Sequence, residues 1–203
     1  MKEYRDYYFR KAKNENYPAR SVYKLKELDS KFGLLKRGMK VLDLGAAPGS
    51  WTLGALEKIG ETGKLIACDL KNIEIPTPPA AEFFQEDIFN PSGEFILKLK
   101  EAGPFDLVMS DMAPATTGSR FTDQARSMEL FLRALEIARE HLGIGGSFVA
   151  KVFMGPDVRD ALDVMRRVFK TVKTHKPKSS RPESKETFLA GLGYKGETDD
   201  GKN

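Results

Sequence analysis

Cysteine and histidine are almost missing from this chain, and long apolar runs are missing altogether. Of its 203 residues one is cysteine, Cys68, and two are histidine, His141 and His175. A single thiol excludes an internal disulfide framework, and two isolated imidazoles leave no metal-ligand spacing. Both histidines therefore read as ordinary helix-end and strand residues, and no metal is expected. No apolar stretch approaches the ~20 residues that a membrane-spanning helix needs. The first twenty residues lack the apolar segment of a secretory leader. Cytoplasmic residence, no membrane partner and a monomer are the expectations. Internal repeats are absent too. What is present, 40% hydrophobic residues, suffices for one α/β core with ends attached.

The net charge of +4 hides a segregation. Residues 1–40 carry 12 Lys+Arg against 5 Asp+Glu, residues 41–165 carry 11 against 19, and residues 166–186 carry 8 against 2. An acidic body between two basic flanks suits a polyanion gripped by the flanks, so nucleic acid is the expected partner. The first twenty residues interleave Tyr4, Tyr7, Tyr8, Phe9 and Tyr17 with Arg5, Arg10, Lys11, Lys13 and Arg20. They show no clean periodicity, which predicts an arm or a short irregular helix. Two readings of it stand: phosphate contact with base stacking, or a strap whose rings pack on the body. The expected division is an arm over 1–20, one domain over 21–194 and a flexible tail over 195–203.

The stretch that organises the domain is Val41 to Trp51. Val41–Leu44 suits a buried strand, Gly45 to Gly49 is a turn of small residues, and Trp51–Ile59 resumes with helical spacing. Strand, tight turn and helix form the first half of a βαβ nucleotide-binding unit. The spacing is D-x-G-x-x-x-G, with Asp43 just before the turn. A carboxylate there repels a pyrophosphate and attracts an ammonium or a sulfonium. The turn therefore reads as an S-adenosylmethionine (SAM) site, with Asp43, Gly45 and Gly49 beside the ligand. A second strand, Lys64–Asp69, ends in an acid 20 residues after Gly49. That separation suits a carboxylate that binds the two ribose hydroxyls of an adenosine. A third short strand, Glu82–Gln85, is followed by Asp87, placed to accept from an adenine amino group.

Further strands are expected at Phe105–Ser110, Ser147–Val152, Thr171–His175 and Glu186–Leu192, the last antiparallel because a hairpin-like loop precedes it. Helices are expected at Val22–Phe32 capped by Ser21, Gly93–Ala102 capped by Ser92, Thr122–Leu142, and Asp157–Phe169. The long helix should bury Ala125, Met128, Leu132, Leu135 and Ala138. The fold class is thus α/β: a Rossmann-like, seven-stranded, mostly parallel sheet with helices on both faces. Four polar residues interrupt or end apolar elements: Lys24, Asp111, Lys151 and Glu186. A lysine inside a buried strand, as at Lys151, is costly unless paired or employed. On a doubly wound sheet these two amines and two acids can face one pocket.

With these pieces in order, the chain resembles the FtsJ/RrmJ family of 2′-O-ribose RNA methyltransferases. The resembling stretches are SVYKLKELD, VLDLGAAPGSW, IACDL, DLVMSDMAP, FVAKVF and SRPESKETFLAG, spread over roughly residues 17–192. The resemblance implies a SAM-dependent methyl transfer to a ribose 2′-hydroxyl, with a Lys-Asp-Lys-Glu tetrad at Lys24, Asp111, Lys151 and Glu186. Glu183 competes for the last place but fits its setting less well. Lys151 would accept the hydroxyl proton, or else hold the oxygen in place. Contacts to SAM would fall on Gly49, Trp51, Asp69, Asp87 and Asp111, without a metal. Two departures are Ser50, where relatives often carry glycine, and Phe188, where tyrosine is frequent. The shortness of the chain favours the branch that modifies a uridine of 23S rRNA in the 50S ribosomal subunit, gripped through the N-terminal and 166–185 segments. A tRNA 2′-O-methyltransferase and a non-catalytic SAM-binding ribosome-assembly factor are the alternatives.

Overall fold

The structure is a computed structural model that describes residues 2–76, 78–181 and 183–196, with side chains from Tyr7 onward. In chain order the elements are α1 (Lys2–Asn14), α2 (Val22–Phe32), β1 (Lys40–Leu44), α3 (Ser50–Ile59), β2 (Lys64–Asp69), β3 (Ala81–Gln85), α4 (Gly93–Ala102), β4 (Phe105–Ser110), α5 (Arg120–His141), β5 (Leu142–Phe153), α6 (Val158–Val168), β6 (Phe169–His175) and β7 (Glu186–Tyr194). The strands form one sheet in the order β3-β2-β1-β4-β5-β7-β6. β1, β2, β3, β4 and β5 run parallel, while β7 is antiparallel to both β5 and β6. The strand order reverses between β1 and β4, so the carboxyl ends of those strands border a crevice, the usual ligand position of open α/β sheets.

Each face of the sheet has its own core. Leu42, Leu44, Phe148, Ala150, Val152 and Leu189 face one way, onto Phe95 of α4, Phe131 and Leu135 of α5 and Met165 of α6. Val41, Val149, Phe188 and Ala190 face the other way, onto Leu25 and Leu28 of α2 and Trp51 and Ala55 of α3. Because strand side chains alternate, Asp43 shares the face of Val41 and Lys151 shares that of Val149. The antiparallel register sets Lys151 opposite Phe188 and Phe153 opposite Glu186. Lys151 and Glu186 thus point toward the side of the sheet that α2 covers.

Several expectations need correction. Residues 2–14 form a regular helix where an arm or a short irregular helix was expected. Among its described side chains, Ala12 is buried with Tyr17, Val22 and Tyr23, and Tyr8 packs on Tyr23 at 5.3 Å between centroids. Ser21 precedes α2 with helical dihedrals, so its hydroxyl makes no cap; Ser92 does cap α4, accepting from the Phe95 N–H. Within α5 the buried face is Ser127, Met128, Phe131, Ala134, Leu135, Ile137 and Ala138, while Leu132 is 44% exposed. The stripe is set by two adjacent ridges, which a single i, i+3, i+4 reading from Ala125 misses by about one position. β5 begins at Leu142, not Ser147. Leu142 pairs with Phe105 and Ser147 with Leu107, so Gly143, Ile144, Gly145 and Gly146 form an irregular excursion opposite Asp106 within the strand. The 195–203 tail falls mostly on residues 197–203, outside the described residues.

Candidate active site

The glycine turn brings α3 up against the crevice. Gly45 has φ +80°, and a Cβ there would lie 2.2 Å from Cγ of Met112. Gly49 has φ +109°, and its Cβ would strike the Ile75 side chain at 2.8 Å. Both positions therefore need glycine, for conformation and for space. The N–H groups of Gly45 and Ala46 donate to the Cys68 carbonyl, and the Ala47 N–H donates to Asp69 Oδ2 at 3.0 Å, which ties the turn to the end of β2.

A cleft of about 570 Å³ opens over this turn. Gly45, Ala47, Asp69, Asp87, Asp111 and Met112 contribute to its wall. Asp69 Oδ1 accepts the Lys71 N–H at 2.9 Å, and Asp87 Oδ1 accepts the Phe89 N–H at 2.9 Å. Backbone donors thus orient both carboxylates while lone pairs remain for hydroxyl or amino donors of a ligand. Acids at the ends of β2 and after β3, over a glycine floor, fit the ribose and adenine of a nucleoside; the acidic wall disfavours a pyrophosphate.

Two residues assigned to this ligand stand elsewhere. Trp51 is buried, its indole N–H donates to the Ser21 carbonyl at 2.9 Å, and its ring stacks on Phe188. Its side chain is a packing piece, so a ligand contact at this position falls to the main chain of the first turn of α3. Asp43 is fully buried, and its Oδ2 accepts the Thr52 hydroxyl at 2.8 Å. Its Oδ1 has no hydrogen-bond partner. Burial pushes the Asp43 carboxyl up to about 7, with the negative charges of Asp111 and Asp69 adding to the rise against the Thr52 bond. Asp43 braces the turn beneath the cleft and does not line it. Ser50 Oγ accepts the Ala19 N–H at 2.7 Å, so the residue that departs from glycine fastens the segment before α2.

Beside the cleft, four charged side chains from four elements converge. Lys24 of α2 reaches Glu186 of β7 at 2.7 Å and Asp111 Oδ1 at 3.6 Å. Lys151 of β5 reaches the same Asp111 Oδ1 at 2.9 Å and also donates to the Asp111 carbonyl. All four are largely buried, so the charges compensate one another where solvent cannot. Burial works to raise the Glu186 carboxyl, but the charge and hydrogen bond of Lys24, with the charge of Lys151, hold it below the usual carboxylate range. Glu183 is exposed, whereas Glu186 makes the ion pair. Phe188 lies under Lys24 at 5.8 Å from ring centroid to Nζ, with no hydroxyl to offer.

One residue of this region gives no signal in the sequence. Glu27, one turn after Lys24, accepts hydrogen bonds from His175 Nε2 at 2.9 Å and from the backbone N–H groups of Lys178 and Ser179. Those donors hold its carboxyl below the ordinary range despite burial. Glu27 locks the helix that carries Lys24 to the loop that leads to Glu186. In the sequence it is one more acid on a charged helix face.

A doubly wound sheet in which the seventh strand inserts antiparallel beside the fifth, with acids closing a glycine-floored cleft, defines a Rossmann-like methyltransferase. The chain belongs to the FtsJ-like methyltransferase family, whose model matches residues 17–194. It is 63% identical to the ribosomal RNA large subunit methyltransferase E of Oleidesulfovibrio alaskensis, over 97% of this chain and 95% of that protein. The protein of the same name from Lawsonia intracellularis is 56% identical over 96% and 98%. Among solved structures, a Plasmodium falciparum protein assigned to the ribosomal RNA methyltransferases superposes with a TM-score of 0.78 at 28% identity. The match covers 89% of this chain and all of that one.

Proposed function

We propose that this chain transfers a methyl group from SAM to a ribose 2′-hydroxyl of large-subunit ribosomal RNA, at a uridine of 23S rRNA in the 50S subunit. The observation that carries the reading is the meeting of Lys24, Asp111, Lys151 and Glu186 at the rim of a nucleoside-shaped cleft. When bound, SAM supplies an electrophilic methyl group on a sulfonium that departs without acid assistance. Asp69 and Asp87 hold the adenosine, and the Gly45–Gly49 turn lets it approach the backbone. Asp111 spans the two halves of the site. Its carboxylate faces the cleft wall and, through one oxygen, positions Lys151.

An in-line displacement needs the 2′ oxygen aimed at the methyl carbon and its proton removed. Lys151 is the group at hand for both: as an amine it takes the proton, and as an ammonium it steadies the developing alkoxide. Lys24 and Glu186 hold the ribose and keep each other in register. The basic N-terminal segment and residues 166–185 grip the RNA backbone, which accounts for cations gathered on either side of an acidic body.

The test is methylation of 50S subunits and of bulk tRNA with labelled SAM, followed by nuclease digestion and mass spectrometry. A 2′-O-methyluridine in 23S rRNA is expected. Label on tRNA alone, on a base, or on neither RNA overturns the reading.

A further inference from the structure

A second cavity lies beside the end of β5 and the residues that lead into Glu186. The segment after β4 walls both spaces: Asp111 to Ala115 border the cleft described above, and Thr116 borders a hollow of about 240 Å³. Arg120, Asp123 and Gln124 of α5, Phe153 at the end of β5, and Glu183, Ser184 and Lys185 before β7 complete this hollow. Its place relative to Lys151 follows from the ladder. Phe153 is two residues beyond Lys151 on the same face, about 7 Å along the strand, and pairs with Glu186.

We infer that this hollow is the subsite for the base of the nucleotide being methylated, and that Arg120 and Gln124 read its edge. The inference rests on the proposed reaction. With a ribose at the tetrad and a methyl donor in the first cleft, the attached base has the β5–β7 side to occupy. The lining suits a pyrimidine with carbonyls on either side of an N–H. The Gln124 amide nitrogen is engaged by the Met154 carbonyl, which fixes the amide and turns its oxygen into a placed acceptor for a ring N–H. Arg120 is exposed beside it and donates to a carbonyl. Asp123 Oδ1 accepts from the Thr117 N–H at 2.7 Å and from its hydroxyl, so the loop between the two cavities is pinned to the same helix. A cytosine presents an acceptor at the ring nitrogen and meets the Gln124 oxygen as a like partner. Phe121, next to Arg120, leaves its ring 79% exposed, a stacking face for a neighbouring base that any base can use.

The experiment measures kcat/KM on reconstituted 50S subunits carrying either uridine or cytidine at the target position, together with the Kd for SAM. Wild-type enzyme is expected to prefer uridine. Arg120→Ala and Gln124→Leu are expected to lower kcat/KM on uridine by about tenfold, the scale of one lost base-edge contact, and to erode the preference by a similar factor. Their SAM affinity stays unchanged. Phe121→Ala lowers kcat/KM on both substrates alike and leaves the preference intact. An Arg120→Ala enzyme with wild-type kcat/KM and wild-type preference overturns the subsite, and so does a wild-type enzyme indifferent to the base. A wild-type enzyme that methylates no ribose overturns the reaction itself, which separates that failure from the failure of the subsite.

Discussion

The ammonium of Lys24 and the carboxylate of Glu186 sit 2.7 Å apart, one on the second helix and the other at the first residue of the last strand. Both are nearly withdrawn from solvent, so removing either leaves the buried cluster with an unbalanced charge. Glu186→Ala is expected to destabilise the fold by roughly 3 kcal/mol and to abolish methyl transfer. Because the carboxyl of Glu186 is depressed in the folded state, its contribution is present above the ordinary carboxylate range and is lost as pH falls through the folded value. Acid unfolding of the Glu186→Gln variant should therefore be less steep below about pH 4.5 than that of the wild type. Denaturant titrations at a series of pH values check this.

Lys151→Ala should lose methyl transfer by about a thousandfold while it retains SAM binding, since the proposed mechanism sets Lys151 at the acceptor oxygen and Asp69 and Asp87 at the cosubstrate. Calorimetric SAM titration beside tritium transfer into 50S subunits measures both. Full activity in this variant removes Lys151 from the mechanism.

Glu27 acts at one remove. Glu27→Ala should lower kcat about tenfold by loosening Lys24 against Glu186, at a stability cost of about 1–2 kcal/mol. Glu27→Gln keeps an acceptor oxygen for the backbone N–H groups and should recover most of the loss. Equal damage from both variants, with SAM affinity also reduced, points to a structural role only.

Asp43 titrates in the opposite direction. Its carboxyl is raised to about 7, so its contribution to stability is complete below the unfolded value near 3.8 and fades as pH rises through 7. Asp43→Asn mimics the neutral form. Its stability relative to wild type should improve by a few kcal/mol between pH 4 and pH 8, read from thermal melts across that window. A constant difference across the window contradicts the assignment.

On the proposed grip, in which the flanks act through phosphates, RNA binding should weaken steeply with salt. Each of Lys178→Glu and Arg181→Glu should reduce the slope of log affinity against log salt by about one, with little change in site preference. Filter binding at several salt concentrations measures the slope, and a flat response removes the basic segments from the grip.

Much of this was legible from residues alone, and the reason is local. The turn from Gly45 to Gly49 and the acids at strand ends announce themselves because they break an apolar pattern where a ligand must approach. The same holds for Lys151, an amine in a buried strand. What could not be read depends on distant partners. Glu27 has meaning only through the backbone of Lys178 and Ser179, and Trp51 becomes a core residue only because Phe188 arrives beneath it. The regularity of the helix over residues 2–14 was not legible because its sequence shows no clean apolar stripe, and the start of β5 escaped because the ladder is interrupted between Leu142 and Ser147.

The last strand threads between β5 and β6, both made before it. Two of the six strand pairings therefore wait for Glu186–Tyr194, and the tetrad acquires its fourth member only then. A nascent chain paused before Glu186 holds three charges without their counterweight, so folding and competence for catalysis arrive in one late, non-local step. Pairing so remote in sequence favours slow assembly.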